Sequence, residues 1–145
     1  MRSPRTLVPA LLISILIGGC AHTPDEVHEG SDGEPLEIRA CDQTDLDSLD
    51  SPPRTENPAR VADRMERLYR ERGLADGGFG GTARVCLVLD ATGAQEARWL
   101  VESTGITALD RIALDVARAM EFSPAVVEGE PVAATLMVPL TFGRR

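Results

Sequence analysis

Three cysteines, Cys20, Cys41 and Cys86, and two histidines, His22 and His28, have the most chemical reach in this 145-residue chain. A nucleophilic or redox-active thiol needs a histidine base beside it or a second thiol at Cys-x-x-Cys spacing, and Cys41 and Cys86 have neither in the expected fold. His22 and His28 sit among carboxylates and could ligate a metal, yet nothing in their stretch fixes a coordination geometry. Gly77-Gly78-Phe79-Gly80-Gly81 has the composition of a phosphate cradle, but such a loop follows a strand and precedes Lys-Ser/Thr, and neither stands here. No carboxylate pair is forced into one cleft, and no nucleophile elbow or metal spacing occurs. The residues point to a protein that is not an enzyme, with no cofactor and no metal, and Trp99 is either a hot spot for a protein partner or a side chain that the residues before Pro58 or a second subunit cover.

Elements must therefore position surfaces. Hydrophobic residues make up 43% of the chain and charged residues 26%, a globular balance in which only Phe79, Phe122, Phe142, Tyr69 and Trp99 are aromatic. Residues 20–58 hold eleven Asp or Glu against two Arg, and 59–145 hold twelve against eleven, so the net charge of -8 belongs to the N-terminal part. No basic face is left to meet a phosphate backbone, which excludes nucleic acid as a partner.

From Pro58 to Arg72 the apolar positions Val61, Ala62, Met65, Leu68 and Tyr69 share one helical stripe, with Asp63–Arg67 and Glu66–Arg70 as i,i+4 pairs. Gly73 ends that helix. Thr82 to Leu89 alternates as a strand, Asp90-Ala91-Thr92-Gly93 turns, and Gln95 to Glu102 returns. Thr107 opens a second helix with Asp110 three residues on, in a capping-box pattern, and Leu109, Ile112, Ala113, Val116, Ala117 and Met120 form its apolar face. Phe122-Ser123-Pro124 stops it, Gly129 marks a turn, and Pro131 to Phe142 supplies the last strand.

A helix crossing the sheet would bring the last strand parallel to the second, so an antiparallel sheet requires it beside the first. The expected fold class is α+β: a small two-layer sandwich, helix then β-β-α-β, with a three-stranded antiparallel sheet in the order 2-1-3 and two helices on one face. Arg84, Cys86, Val88, Trp99 and Val101 then fall on the opposite face, and Pro139 on an edge strand where a missing N–H is tolerated.

The N-terminus adds a destination. Arg2 and Arg5 precede an apolar run, Leu7 to Ile17, that ends in Ile17-Gly18-Gly19-Cys20. This resembles a bacterial lipoprotein signal, residues 1–19, which implies acylation of Cys20 and a membrane anchor made of lipid. Ala21, standing where Asp would retain such a protein at the inner membrane, favours the periplasmic face of the outer membrane. Residues 20–57 have few apolar positions and five prolines after Cys20 counting Pro58 as their limit, and read as an acidic flexible tether with a reach of about 35 Å.

Gly81-Thr82-Ala83-Arg84-Val85, Leu89-Asp90-Ala91-Thr92-Gly93, Glu102-Ser103-Thr104-Gly105, Leu109-Asp110, Ala113-Leu114, Phe122-Ser123-Pro124-Ala125, Gly129-Glu130-Pro131-Val132 and Pro139-Leu140-Thr141-Phe142 occur in order and register. Together they resemble the TonB C-terminal domain family, here over residues 58–145. The resemblance implies a periplasmic interaction domain whose last strand pairs with a short peptide, the TonB box, of an outer-membrane receptor. Val132, Ala134, Leu136, Val138 and Leu140 mark the expected partner-binding edge. Force-transmitting members have an inner-membrane helix and a long Pro-rich spacer, whereas here the expectation is a lipoprotein signal and an acidic tether. The alternative is a structural envelope lipoprotein that forms a homodimer through its sheet edges and plays no part in energy transduction.

An oxidising periplasm also gives Cys41 and Cys86 a chance to pair. A structural bridge would pin the tether onto the sheet face away from the helices; two unpaired thiols and a catalytic Cys are the other readings.

Overall fold

The computed structural model describes residues 36–143. Its helices and strands follow in the order α1 (Pro58–Glu71), β1 (Gly81–Leu89), β2 (Gln95–Glu102), α2 (Thr107–Arg118), β3 (Ala125–Val127), β4 (Glu130–Val132) and β5 (Ala134–Phe142). β2, β1 and β5 form an antiparallel sheet in that order, which is the expected arrangement of second, first and last strand. β3 and β4 pair in a separate two-stranded ribbon.

β1 holds the centre because both of its faces are apolar enough to be covered. Ala83, Val85, Leu87 and Leu89 are at most 1% exposed and meet Leu109, Ile112, Ala113, Val116 and Ala117 of α2, all fully buried. Residues three and four apart on the helix thus meet residues two apart on the strand. Each large aliphatic side chain removed from water there contributes about 1.5–3 kcal/mol, an upper bound because the unfolded chain is itself partly collapsed. α1 covers less: Val61 is buried, while Met65, Leu68 and Tyr69 are partly buried against the same core. On its solvent side Glu66 pairs with Arg70 at 3.3 Å as expected, whereas Arg67 reaches Glu71 at 3.8 Å instead of Asp63.

The β1–β2 turn is built by one carboxylate. Asp90 Oδ1 accepts from the Thr92 hydroxyl at 2.6 Å, the Thr92 amide at 2.8 Å and the Ala94 amide at 3.0 Å. These bonds, the Thr92 hydroxyl first, hold Asp90 below its ordinary carboxylate range. Gly93 closes the turn at φ +87°, and a Cβ there would stand 2.3 Å from the Phe122 carbonyl oxygen. The hairpin tip can lie against Phe122 and Ser123 only with glycine at this position.

Asp110 departs from the expected capping box. The N-cap of α2 is Ile106 and makes no side-chain cap. The Asp110 carboxylate is 4% exposed and turns back to the β2–α2 corner, accepting from the Ser103 hydroxyl and from both the amide and the hydroxyl of Thr104. Thr104 Oγ1 in turn accepts from the Ile106 amide at 3.1 Å. The corner takes its shape from a charged group of the helix, not from a cap at its first residue.

The expected single strand from Pro131 to Phe142 is divided. Glu128 (φ +52°) and Gly129 (φ +81°) form the two-residue turn of the β3–β4 hairpin, with Val127 opposite Glu130. Val132 belongs to that hairpin, and β5 starts only at Ala134.

The described residues ahead of Pro58 belong to the same compact unit as the helices and strands. Residues 50–57, for which the sequence implies a solvated tether, run along the chain leaving α2. The Asp50 amide donates to Val126, the Ser123 amide to Arg54 and the Glu56 amide to Glu121, all at 2.8–2.9 Å. Asn57 Nδ2 donates to the Ala119 carbonyl and so closes the end of α2.

Two substitutions test these supports. Gly93→Ala adds strain at positive φ and a backbone collision, and should lower the unfolding free energy by about 2–4 kcal/mol in urea titration. Asp110→Ala strands the donors of Ser103 and Thr104 and should cost about 2–3 kcal/mol. A change below about 1 kcal/mol in either variant contradicts the corresponding role.

Candidate protein-interaction edge

β5 is the last strand of its sheet, so one row of its backbone groups faces away from β1. Two contacts fix which row. The Thr44 amide donates to the Thr135 carbonyl at 2.9 Å, and the Thr135 amide donates to Thr44 Oγ1 at 2.8 Å. Thr135 therefore points both groups outward. The register from Ala134 to Phe142 is unbroken, so antiparallel alternation puts Met137, Pro139 and Thr141 outward as well. Beyond Thr135 the edge offers the amides of Met137 and Thr141 and the carbonyls of Met137, Pro139 and Thr141. Among the described residues, Thr44 is the sole recorded backbone partner on that outer side.

Four of the residues expected on the edge strand, Ala134, Leu136, Val138 and Leu140, lie on β5 with their side chains inward. Ala134, Leu136 and Leu140 are 5–7% exposed, Val138 packs against the same core, and all four face the helices. Val132 is in β4. Met137 and Pro139 lie opposite Cys86 and Arg84 of β1 and share their face of the sheet. Alternation along β5 was visible in the sequence, but it showed the buried row, whereas an added strand meets the backbone of the intervening residues. At the far end, Tyr69 packs its ring 6.1 Å from that of Phe142 and donates its hydroxyl hydrogen to the Phe79 carbonyl. Phe79 itself is 46% exposed.

The face opposite the helices is crossed by a strap, Ile38–Thr44, that touches all three strands in turn. The Arg39 amide donates to Leu100 of β2 at 2.9 Å. Trp99 donates its indole N–H to the Ala40 carbonyl at 3.0 Å, and the Arg39 guanidinium stands 4.8 Å above its ring. Cys41 is joined to Cys86 of β1 by a disulfide, with the Cα atoms 5.7 Å apart. Thr44 then meets Thr135 of β5, and the chain turns away through a short 3-10 turn, Leu46–Ser48. The strap thus covers part of Trp99, which is half-buried beneath it, the second of the two expected readings. Thr44 and Thr135 could not be found from the sequence, because ordinary threonines carry no signal of a backbone contact; Cys41 was the one visible sign.

Magnitudes show what keeps the strap down. Four hydrogen bonds contribute about 1 kcal/mol each and the cation–π contact about 0.5. Ordering the backbone of Ile38–Thr44 costs about 1 kcal/mol or more per residue, at least about 7 in all. The non-covalent holds fall short, and the disulfide makes up the difference.

Cys20, His22 and His28 lie outside the described residues. Among the described residues no cluster of three or more His, Cys, Asp or Glu side chains could hold a metal, and no helix is long and apolar enough to cross a membrane.

The family model for the Gram-negative bacterial TonB protein C-terminal matches residues 74–143, from the loop after α1 to the end of β5. Residues 74–143 form a TonB C-terminal domain. Protein TonB of Vibrio cholerae serotype O1 is 37% identical to this chain over 84 residues, which is 58% of this chain and 32% of that protein. The match thus spans about a third of the relative's length. The strap lies ahead of the residues that the family model matches.

Removing the bridge tests the strap's contribution to stability. The disulfide closes a separation of 45 residues, and Cys41→Ala with Cys86→Ala should lower the unfolding free energy by about 4 kcal/mol in urea, on the chain-entropy model. A loss under about 1 kcal/mol contradicts it.

Proposed function

We propose that this chain is a periplasmic protein-interaction module that binds an extended peptide by strand addition along β5. The partner is an outer-membrane receptor of TonB-dependent transport or another envelope protein. Lipid on Cys20 anchors the chain to the periplasmic face of the outer membrane. The observation that carries this reading is the outward row at Met137, Pro139 and Thr141, which meets no backbone partner among the described residues. An added strand gains main-chain hydrogen bonds there and makes few demands on sequence, a mode that suits a module serving several partners. Membership of the TonB C-terminal family supports the same mode.

The edge also has features that restrain unwanted pairing. Pro139 removes one donor from the middle of the row, and Thr44 closes one end. The usable stretch is short, which favours a brief peptide over the long edge of another folded sheet.

Isothermal titration of the full chain with synthetic N-terminal peptides of TonB-dependent receptors tests the reading. Met137→Pro deletes an outward amide without deleting a bond to β1, and should weaken a bound peptide about tenfold, one hydrogen bond's worth. Equal affinity for Met137→Pro, or no binding by any receptor peptide, contradicts the proposal. Size exclusion at rising concentration separates it from a homodimer, which would elute earlier as concentration increases.

A further inference from the structure

The Thr44–Thr135 contact copies, at one position, what an added strand does: the Thr44 amide pairs with the Thr135 carbonyl, and the Thr44 hydroxyl stands where the guest's carbonyl would accept the Thr135 amide. The segment that makes it is held at Leu100 on the opposite edge and is covalently fixed at Cys86 between the two. The strap thus lies across the sheet like a bar, with its locked point in the middle and one end on the edge proposed to bind partners.

We propose that Ile38–Thr44 is a redox-controlled latch on the β5 edge. While Cys41–Cys86 is intact, Thr44 occupies Thr135 and confines a guest strand to pairing at Met137, Pro139 and Thr141. A dithiol reductant opens the latch: two electrons and two protons pass to the disulfide, Cys41 and Cys86 become thiols, and the reductant becomes its own disulfide. The remaining contacts do not offset the cost of ordering the strap, so it leaves. Thr135 then joins the pairing row, and Trp99 loses both the Ala40 carbonyl and the Arg39 guanidinium. The usable edge grows from three hydrogen-bonding positions to four, which changes the length of peptide it prefers. This regulation rests on strand addition at β5, although its structural half does not.

Trp99 is the one tryptophan of the chain, so its emission reports the strap directly. Amide hydrogen exchange and fluorescence of the full chain, with and without dithiothreitol, test the latch. In the oxidised chain Thr135 should exchange slowly and Met137 and Thr141 fast. On reduction Thr135 should reach the fast exchange of Met137 and Thr141, Leu87 in β1 should stay far slower than these three despite the loss of global stability, and Trp99 emission should shift to the red. Thr44→Val, with the disulfide intact, should accelerate Thr135 and leave Trp99 emission unchanged. Thr135 exchange that ignores both reduction and Thr44→Val overturns the latch. So does a Thr135 amide that after reduction still exchanges as slowly as Leu87, which would make the disulfide a global cross-link and nothing more. Slow exchange at Met137 and Thr141 in both states would instead overturn the free edge, with Thr135 still reporting on the strap.

Discussion

The position of β1 between two partner strands and two covering layers is the constraint on which the other features depend. A sheet of three strands is too narrow to shelter its middle strand by itself. α2 seals one side through Val85, Leu87 and Leu89. The other side carries Cys86, fully buried although no helix lies over it. The chain solves that exposure with a length of otherwise unstructured polypeptide, tied down by a covalent bond because its own contacts are too few to hold it.

The strap takes up little of either edge: it pairs with the backbone of β2 at Leu100 and with that of β5 at Thr135. Most of the β5 edge is left unpaired where it carries a proline and ends beside an exposed aromatic, Phe79. An unpaired edge is ordinarily a liability, and a protein that keeps one short and interrupted can use it for recognition without inviting aggregation.

How much was legible beforehand follows from what kind of interaction makes each part. The sheet order could be read because handedness and antiparallel pairing leave one solution for β-β-α-β, and the core could be read because Val85, Leu87, Ile112 and Val116 repeat at strand and helix periods. The Cys41–Cys86 bridge was open to reading once the N-terminal residues suggested an oxidising compartment. The path of residues 36–57 was not legible, since backbone amides and carbonyls hold it and every residue has those. The break between β4 and β5 was hidden in an apolar run, and the positive φ of Glu128 that tightens the hairpin leaves no mark in residue type. In β5 the alternating Ala134, Leu136, Val138 and Leu140 mark the side chains that pack toward the helices, while the outward backbone groups belong to the residues between them, whose types carry no sign of it.

The central claim is that the outer side of β5, from Met137 to Thr141, accepts a guest strand. Isotope-edited nuclear Overhauser spectroscopy on the labelled full chain with an unlabelled receptor peptide tests this most directly. Cross-strand effects from the peptide backbone to Met137, Pro139 and Thr141, spaced two residues apart, are the predicted result. Effects confined to β2, to the helices or to the strap, with none at these three residues, would contradict it.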